Sequence, residues 1–101
     1  MVHKHTILDW LGQHVFVGLD VHNRSWIVAI VTEQADFKTF TQPPDVKLLV
    51  SYLHRHFPNA TYHCVYEAGY CGYWICEQLR AHGIECIVIN PADVPTTNKE
   101  K

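Results

Sequence analysis

Two acids stand out by where they fall. Asp20 interrupts the apolar run Val15-Phe-Val-Gly-Leu-Asp-Val21, and Glu67 follows the run Tyr62-His-Cys-Val-Tyr66. Two carboxylates brought close together repel, and one is driven to keep its proton unless a divalent cation neutralises the pair. Hard oxygen donors suit Mg²⁺ or Mn²⁺. The chemistry such a pair supports is metal-assisted phosphoryl transfer, in which two ions clamp the attacking and leaving oxygens of a phosphodiester. The plainer alternative is that both acids end strands and bond turn amides. His22, two residues past Asp20, is either a group that approaches a scissile phosphate or metal-bound water, or a turn histidine without a role.

Other reactive types point less clearly. His63, Cys64, Cys71, Cys76 and His82 cluster within twenty residues, but no C-x-x-C pair is present and Cys64 falls in an apolar strand, which argues against zinc. Cys71 lies near a helix start, where a thiol pKa is lowered, with nothing else to mark it as a nucleophile. Tyr66, Tyr70, Tyr73 and Trp74 could stack on bases, but at helical spacing they more often fill the gap between helix and sheet. Gly69 and Gly72 flank a turn whose amides could face a phosphate or simply make the turn. Neither G-x-x-x-x-G-K-[ST] nor G-x-G-x-x-G occurs, so a nucleotide-binding loop of those kinds is unsupported.

The elements that must position the two acids follow from periodicity. Val15–Val21 is nearly continuous and β-branched, the pattern of a central strand covered on both faces. Turns at 22–24 and 32–36 separate it from strands at Ser25–Val31 and Phe37–Thr41, giving an antiparallel meander. Pro43 and Pro44 end the meander, and Asp45 opens a helix in which Val46, Leu49, Val50, Leu53 and Phe57 recur at steps of three and four. Pro58 and Asn59 stop it. Tyr62–Tyr66 is a strand, Gly72–His82 a helix released by Gly83, and Ile84–Ile89 the last strand. The order β-β-β-α-β-α-β, with right-handed crossovers, predicts one mixed five-stranded α/β sheet, ordered 3-2-1-4-5 if sequential units place the fourth strand beside the first. Asp20 and Glu67 then end adjacent parallel strands, where open α/β sheets place their ligands.

Composition bounds the rest. The chain has 101 residues, 48% hydrophobic and 18% charged, with a formal charge of −2, which fits one small globular core and no bulk basic polymer-binder. The eight histidines make its charge sensitive to mild acid. No run of about 18 apolar residues is present and no apolar stretch follows the first six residues, so no membrane association and a cytoplasmic, reducing location are expected. The four cysteines then read as reduced small hydrophobes.

Three stretches together resemble the N-terminal domain of IS110-family transposases: Phe16-Val-Gly-Leu-Asp-Val-His-Asn-Arg-Ser-Trp-Ile-Val-Ala-Ile, Val65-Tyr-Glu-Ala-Gly-Tyr-Cys-Gly-Tyr-Trp-Ile, and Gly83-Ile-Glu-Cys-Ile-Val-Ile-Asn-Pro-Ala-Asp-Val-Pro. The resemblance covers about residues 14–101. It implies a RuvC-like, ribonuclease H-like fold with a DEDD tetrad of acids binding Mg²⁺ (or Mn²⁺), in which Asp20 matches the first acid and Glu67 the second. The other two family acids lie beyond this sequence, and Asp93 matches neither. Residues 1–13 are then a lead-in, 14–90 the truncated domain and 91–101 a polar linker. The resemblance further implies a prokaryotic transposase acting on DNA as a homo-oligomer, guided by an RNA made by the element, with this fragment inactive by itself. Phosphate contacts would fall to Arg24, Lys38, Lys47, Arg55, Lys99 and Lys101, or these are ordinary solvated charges. A different class is a non-catalytic nucleic-acid-binding or dimerisation module on the same fold. A third is a nucleotide-binding domain of the actin and sugar-kinase type, against which His22, Asn23 and Arg24 offer no glycine-rich turn.

Overall fold

The structure is a computed structural model that describes residues 9–67 and 72–89. Its elements are β1 (His14–Val21), β2 (Trp26–Thr32), β3 (Phe37–Gln42), α1 (Val46–His56), β4 (Thr61–Glu67), α2 (Trp74–Ala81) and β5 (Glu85–Ile89). They form one five-stranded sheet in the order β3-β2-β1-β4-β5, as the element order predicts. β1 pairs antiparallel with β2 and parallel with β4, and β4 pairs parallel with β5.

Alternation along each strand sorts the side chains onto two faces. Val15, Val17 and Leu19 of β1, Trp26, Val28 and Ile30 of β2, Tyr62, Cys64 and Tyr66 of β4 and Cys86 of β5 all point to one side and are buried. Both helices lay their apolar stripes there, α1 through Val46, Leu49, Val50 and Leu53, α2 through Ile75, Cys76 and Leu79, making one core. Leu49, Leu53 and Leu79 have no exposed surface, and each contributes about 2 kcal/mol of burial.

Local chemistry sets the helix ends. The Asp45 carboxylate accepts from the Lys47 and Leu48 amides (2.8 and 3.4 Å) and starts α1 after the two prolines. At the end of α2, Gly83 has φ +83°; its amide donates to the Arg80 carbonyl and the Ile84 amide to the Leu79 carbonyl, both at 3.0 Å, which closes the helix and returns the chain to the sheet. The start of α2 has no side-chain cap of its own. Its Cys76 amide donates instead to the phenol oxygen of Tyr66 (3.2 Å), which in turn donates to the Gly72 carbonyl (3.0 Å). A buried strand residue thus fastens the helix to the sheet.

One expectation fails. Among the described residues β1 is central but is covered on one face only: Phe16, on the side away from the helices, is 46% exposed. Its continuous apolar run reflects a core on one side and a bare apolar surface on the other. Of the aromatic group at the start of α2, Tyr66 fills the core, whereas Tyr73 and Trp74 are largely exposed; Tyr70 lies outside the described residues. In the lead-in, Trp10 meets Phe57 edge to face with centroids 4.9 Å apart, and its amide donates to the Pro58 carbonyl, while Leu11 stays in solvent.

Candidate functional site

The pairing registers across the sheet line up residues of its outer face in rows. Leu19 and Tyr66 are the last paired residues of β1 and β4, and Asp20 and Glu67 each come one residue later. Asp20 also pairs with Ile27 and Glu67 with Ile89, so Ile27, Asp20, Glu67 and Ile89 form one row at the carboxyl ends of the parallel strands. The two acids line a shallow depression of about 290 Å³, whose floor includes Gly18 and Val65. Both acids are exposed, so water solvates them without a buried-charge penalty.

His22 is part of the same end. Its Nε2 lies 3.1 Å from Asp20 Oδ1, and the turn that holds it is closed by the His22 amide donating to the Ser25 carbonyl (3.0 Å). Glu67 has a partner of its own. The carboxylates supply oxygen donors of the kind Mg²⁺ takes, and a site of one or two protein carboxylates completed by water is within that ion's habits. Among the described residues no group of three or more His, Cys, Asp or Glu side chains is arranged to hold a metal ion.

The other candidates are dispersed. Cys64, Cys76 and Cys86 are free and buried in the core between α2 and the sheet. The hydrogen bond with Cys86, then burial, pushes the Cys64 thiol up, and burial raises Cys76 as well. Lys38 stands on the helix side, its Nζ 5.6 Å from the centre of the Tyr52 ring. Lys47 and Arg55 belong to α1, and Arg24 lies in the β1–β2 turn at the acid end. Gly69, Cys71, Asp93, Lys99 and Lys101 lie outside the described residues.

A second polar cluster was not foreseen. At the opposite end of the outer face His14 Nδ1 is 2.7 Å from His63 Nε2, and His63 Nδ1 hydrogen-bonds the Glu85 carboxylate, so three adjacent strands are tied by one line of side chains. Phe16 stacks on His63 with centroids 5.1 Å apart. The strand order brings β1, β4 and β5 together, but only the register puts His63 level with Glu85 and diagonal to His14, and no spacing within the sequence encodes that.

No protein-family model matches the chain. It is 28% identical over 96 residues to the transposase of insertion sequence element IS1533 from Leptospira borgpetersenii, a match covering 90% of this chain and 27% of the relative. Over 47 residues it is 40% identical to y4rJ of Sinorhizobium fredii, likewise named a transposase, covering 46% of this chain and 11% of that one. The chain therefore spans about a quarter or less of the length of these curated relatives, and both relatives are named as transposases.

Proposed function

We propose that this chain is the acid-bearing, RuvC-like part of an insertion-sequence transposase of the IS110 type, with Asp20 and Glu67 as two of its metal ligands. The observation that carries the proposal is their shared row: two carboxylates, 47 positions apart in sequence, end neighbouring parallel strands and line one depression. Similarity to named transposases along nine-tenths of the chain supports the same direction. Mg²⁺ or Mn²⁺ bound there supplies electrostatic stabilisation to the oxygens of a DNA phosphodiester undergoing transfer.

The chain's own residues do the positioning. The β1–β4 ladder fixes the spacing of the two acids, Tyr66 locks the strand end next to Glu67, and His22 holds Asp20 from the side. DNA is the proposed partner, and self-association, a guide RNA made by the element and the prokaryotic cytoplasm belong to the same proposal. With two carboxylates, the 101 residues alone hold the ion weakly and do not cleave strands.

The test is a Mn²⁺ titration followed by water-proton relaxation. Wild type binds with a dissociation constant of about 1 mM, and the Asp20→Ala, Glu67→Ala double variant binds at least about tenfold more weakly. Equal binding by both proteins overturns the assignment, and Mg²⁺-dependent nicking of DNA by the 101 residues overturns the inactivity.

A further inference from the structure

The histidine pair at the end of the sheet away from the acids has the local chemistry of a ligand set. His14 and His63 stand diagonal to one another on the parallel strands β1 and β4, and Glu85 stands beside His63 on β5. His63 Nδ1–H donates to the Glu85 carboxylate, which assigns the tautomer and leaves Nε2 as the nitrogen with the free lone pair. That lone pair meets His14 Nδ1 at 2.7 Å. The two ring centres are 5.0 Å apart, a separation that with nitrogens so close sets the rings edge to edge, nitrogen to nitrogen. Phe16 lies along the His63 ring, with centres 5.1 Å apart and planes inclined by 19°, and limits its swing.

We propose that His14 Nδ1 and His63 Nε2 together bind a divalent transition metal of the Zn²⁺ class, and that Glu85 is the outer carboxylate that orients His63. Imidazole suits such ions, and a ligating histidine ordinarily gives its other N–H to a carboxylate or carbonyl, which fixes the ring and raises its basicity. A cation bonded to both nitrogens at about 2.0–2.1 Å holds them about 2.9–3.4 Å apart, between the octahedral and tetrahedral limits. The present gap therefore opens by roughly 0.2–0.7 Å, and torsions of two partly exposed side chains supply that while turning both lone pairs onto the ion. Binding breaks the N–H···N bond between the rings and forms two metal–nitrogen bonds. The proton on His14 Nδ1 passes through solvent to its Nε2, so both rings stay neutral and the proton count is unchanged. Water completes the coordination. Mn²⁺ stands lowest in the affinity order for nitrogen sites and Mg²⁺ takes oxygen, so this pair and the acids at the other end sort metals differently. The inference is independent of whether the acids bind metal.

Titration of the ¹⁵N-labelled 101-residue chain with Zn²⁺, followed through the histidine ring nitrogens and the backbone amides, tests it. The His14 ring is expected to change from its Nδ1–H to its Nε2–H form. The amides of His14, Phe16, His63 and Glu85 shift together, before those of Asp20 and Glu67, and saturate at one ion per chain. His14→Ala and His63→Ala each weaken binding by at least about tenfold. Glu85→Gln weakens it by about tenfold and lets the metal-free His63 ring exchange between its two tautomers. His82→Ala, which removes an exposed histidine at the end of α2, leaves binding unchanged. Signals of His14 and His63 that stay in place at about 1 mM Zn²⁺ overturn the inference, as does binding indifferent to both alanine variants or movement that begins around Cys64 and Cys86. If the spectrum shows His63→Ala unfolded, His14→Ala decides.

Discussion

Removing the phenol oxygen of Tyr66 should loosen α2 from the sheet without creating a cavity. In Tyr66→Phe the ring stays in a site with 2% exposure, but the Cys76 amide loses an acceptor at 3.2 Å and the Gly72 carbonyl a donor at 3.0 Å. The Cys76 amide is buried, so it forfeits a bond without gaining water, a loss of about 1–2 kcal/mol. The Gly72 carbonyl is less enclosed and recovers part of its bond from solvent, adding about 0.5 kcal/mol. The helix start has no side-chain cap in reserve. The sum, about 2 kcal/mol, lowers the urea midpoint by about 2 M at a slope near 1 kcal/mol/M and the melting temperature by about 10 °C. Denaturation of the two proteins by urea, read by circular dichroism, measures it. A loss below about 0.5 kcal/mol would refute the account of Tyr66 as the cap of α2.

Other outcomes follow from local geometry. Ala35 closes the β2–β3 turn at φ +69°, a region that favours glycine, so Ala35→Gly should stabilise the protein by about 0.5–1 kcal/mol in the same urea assay. Stability should fall in alkali: burial raises the Tyr62 phenol above its ordinary value of 10.0. The phenol is protonated in the folded state at a pH where the unfolded chain has released the proton. The stabilisation is therefore complete below about pH 9 and declines as pH climbs through 10 and above, which melting temperatures across that range would show.

Much of the fold is written in local pattern. The β-rich run of β2, the three-four spacing of Val46, Leu49, Val50 and Leu53, and the stops at Pro43, Pro58 and Gly83 mark elements whose ends the structure moves by one or two residues. Setting the fourth strand beside the first then gives the order β3-β2-β1-β4-β5 and the meeting of Asp20 and Glu67, and right-handed crossovers put both helices on one face. What escapes the sequence depends on register and on which face is covered. His14, His63 and Glu85 form one hydrogen-bonded line because the register sets His63 beside Glu85 and diagonal to His14. The role of Tyr66 depends on a phenol reaching across to the next helix, which its place in a strand does not announce. An unbroken apolar run such as Val15–Leu19 reads alike whether its second face is buried or bare, and here Phe16 is bare.

The central claim is that Asp20 and Glu67 make one metal-binding end of the sheet. The most direct measurement is the broadening of assigned backbone amide signals in a ¹⁵N-labelled sample as Mn²⁺ is added below stoichiometry. The account predicts that Asp20, Val21 and Glu67 broaden first and together, that the signals of Thr61 and Glu85 at the far end stay sharp, and that Asp20→Ala with Glu67→Ala abolishes the pattern. Broadening that begins around His63 and Glu85, or that persists at the acid end in the double variant, would contradict it.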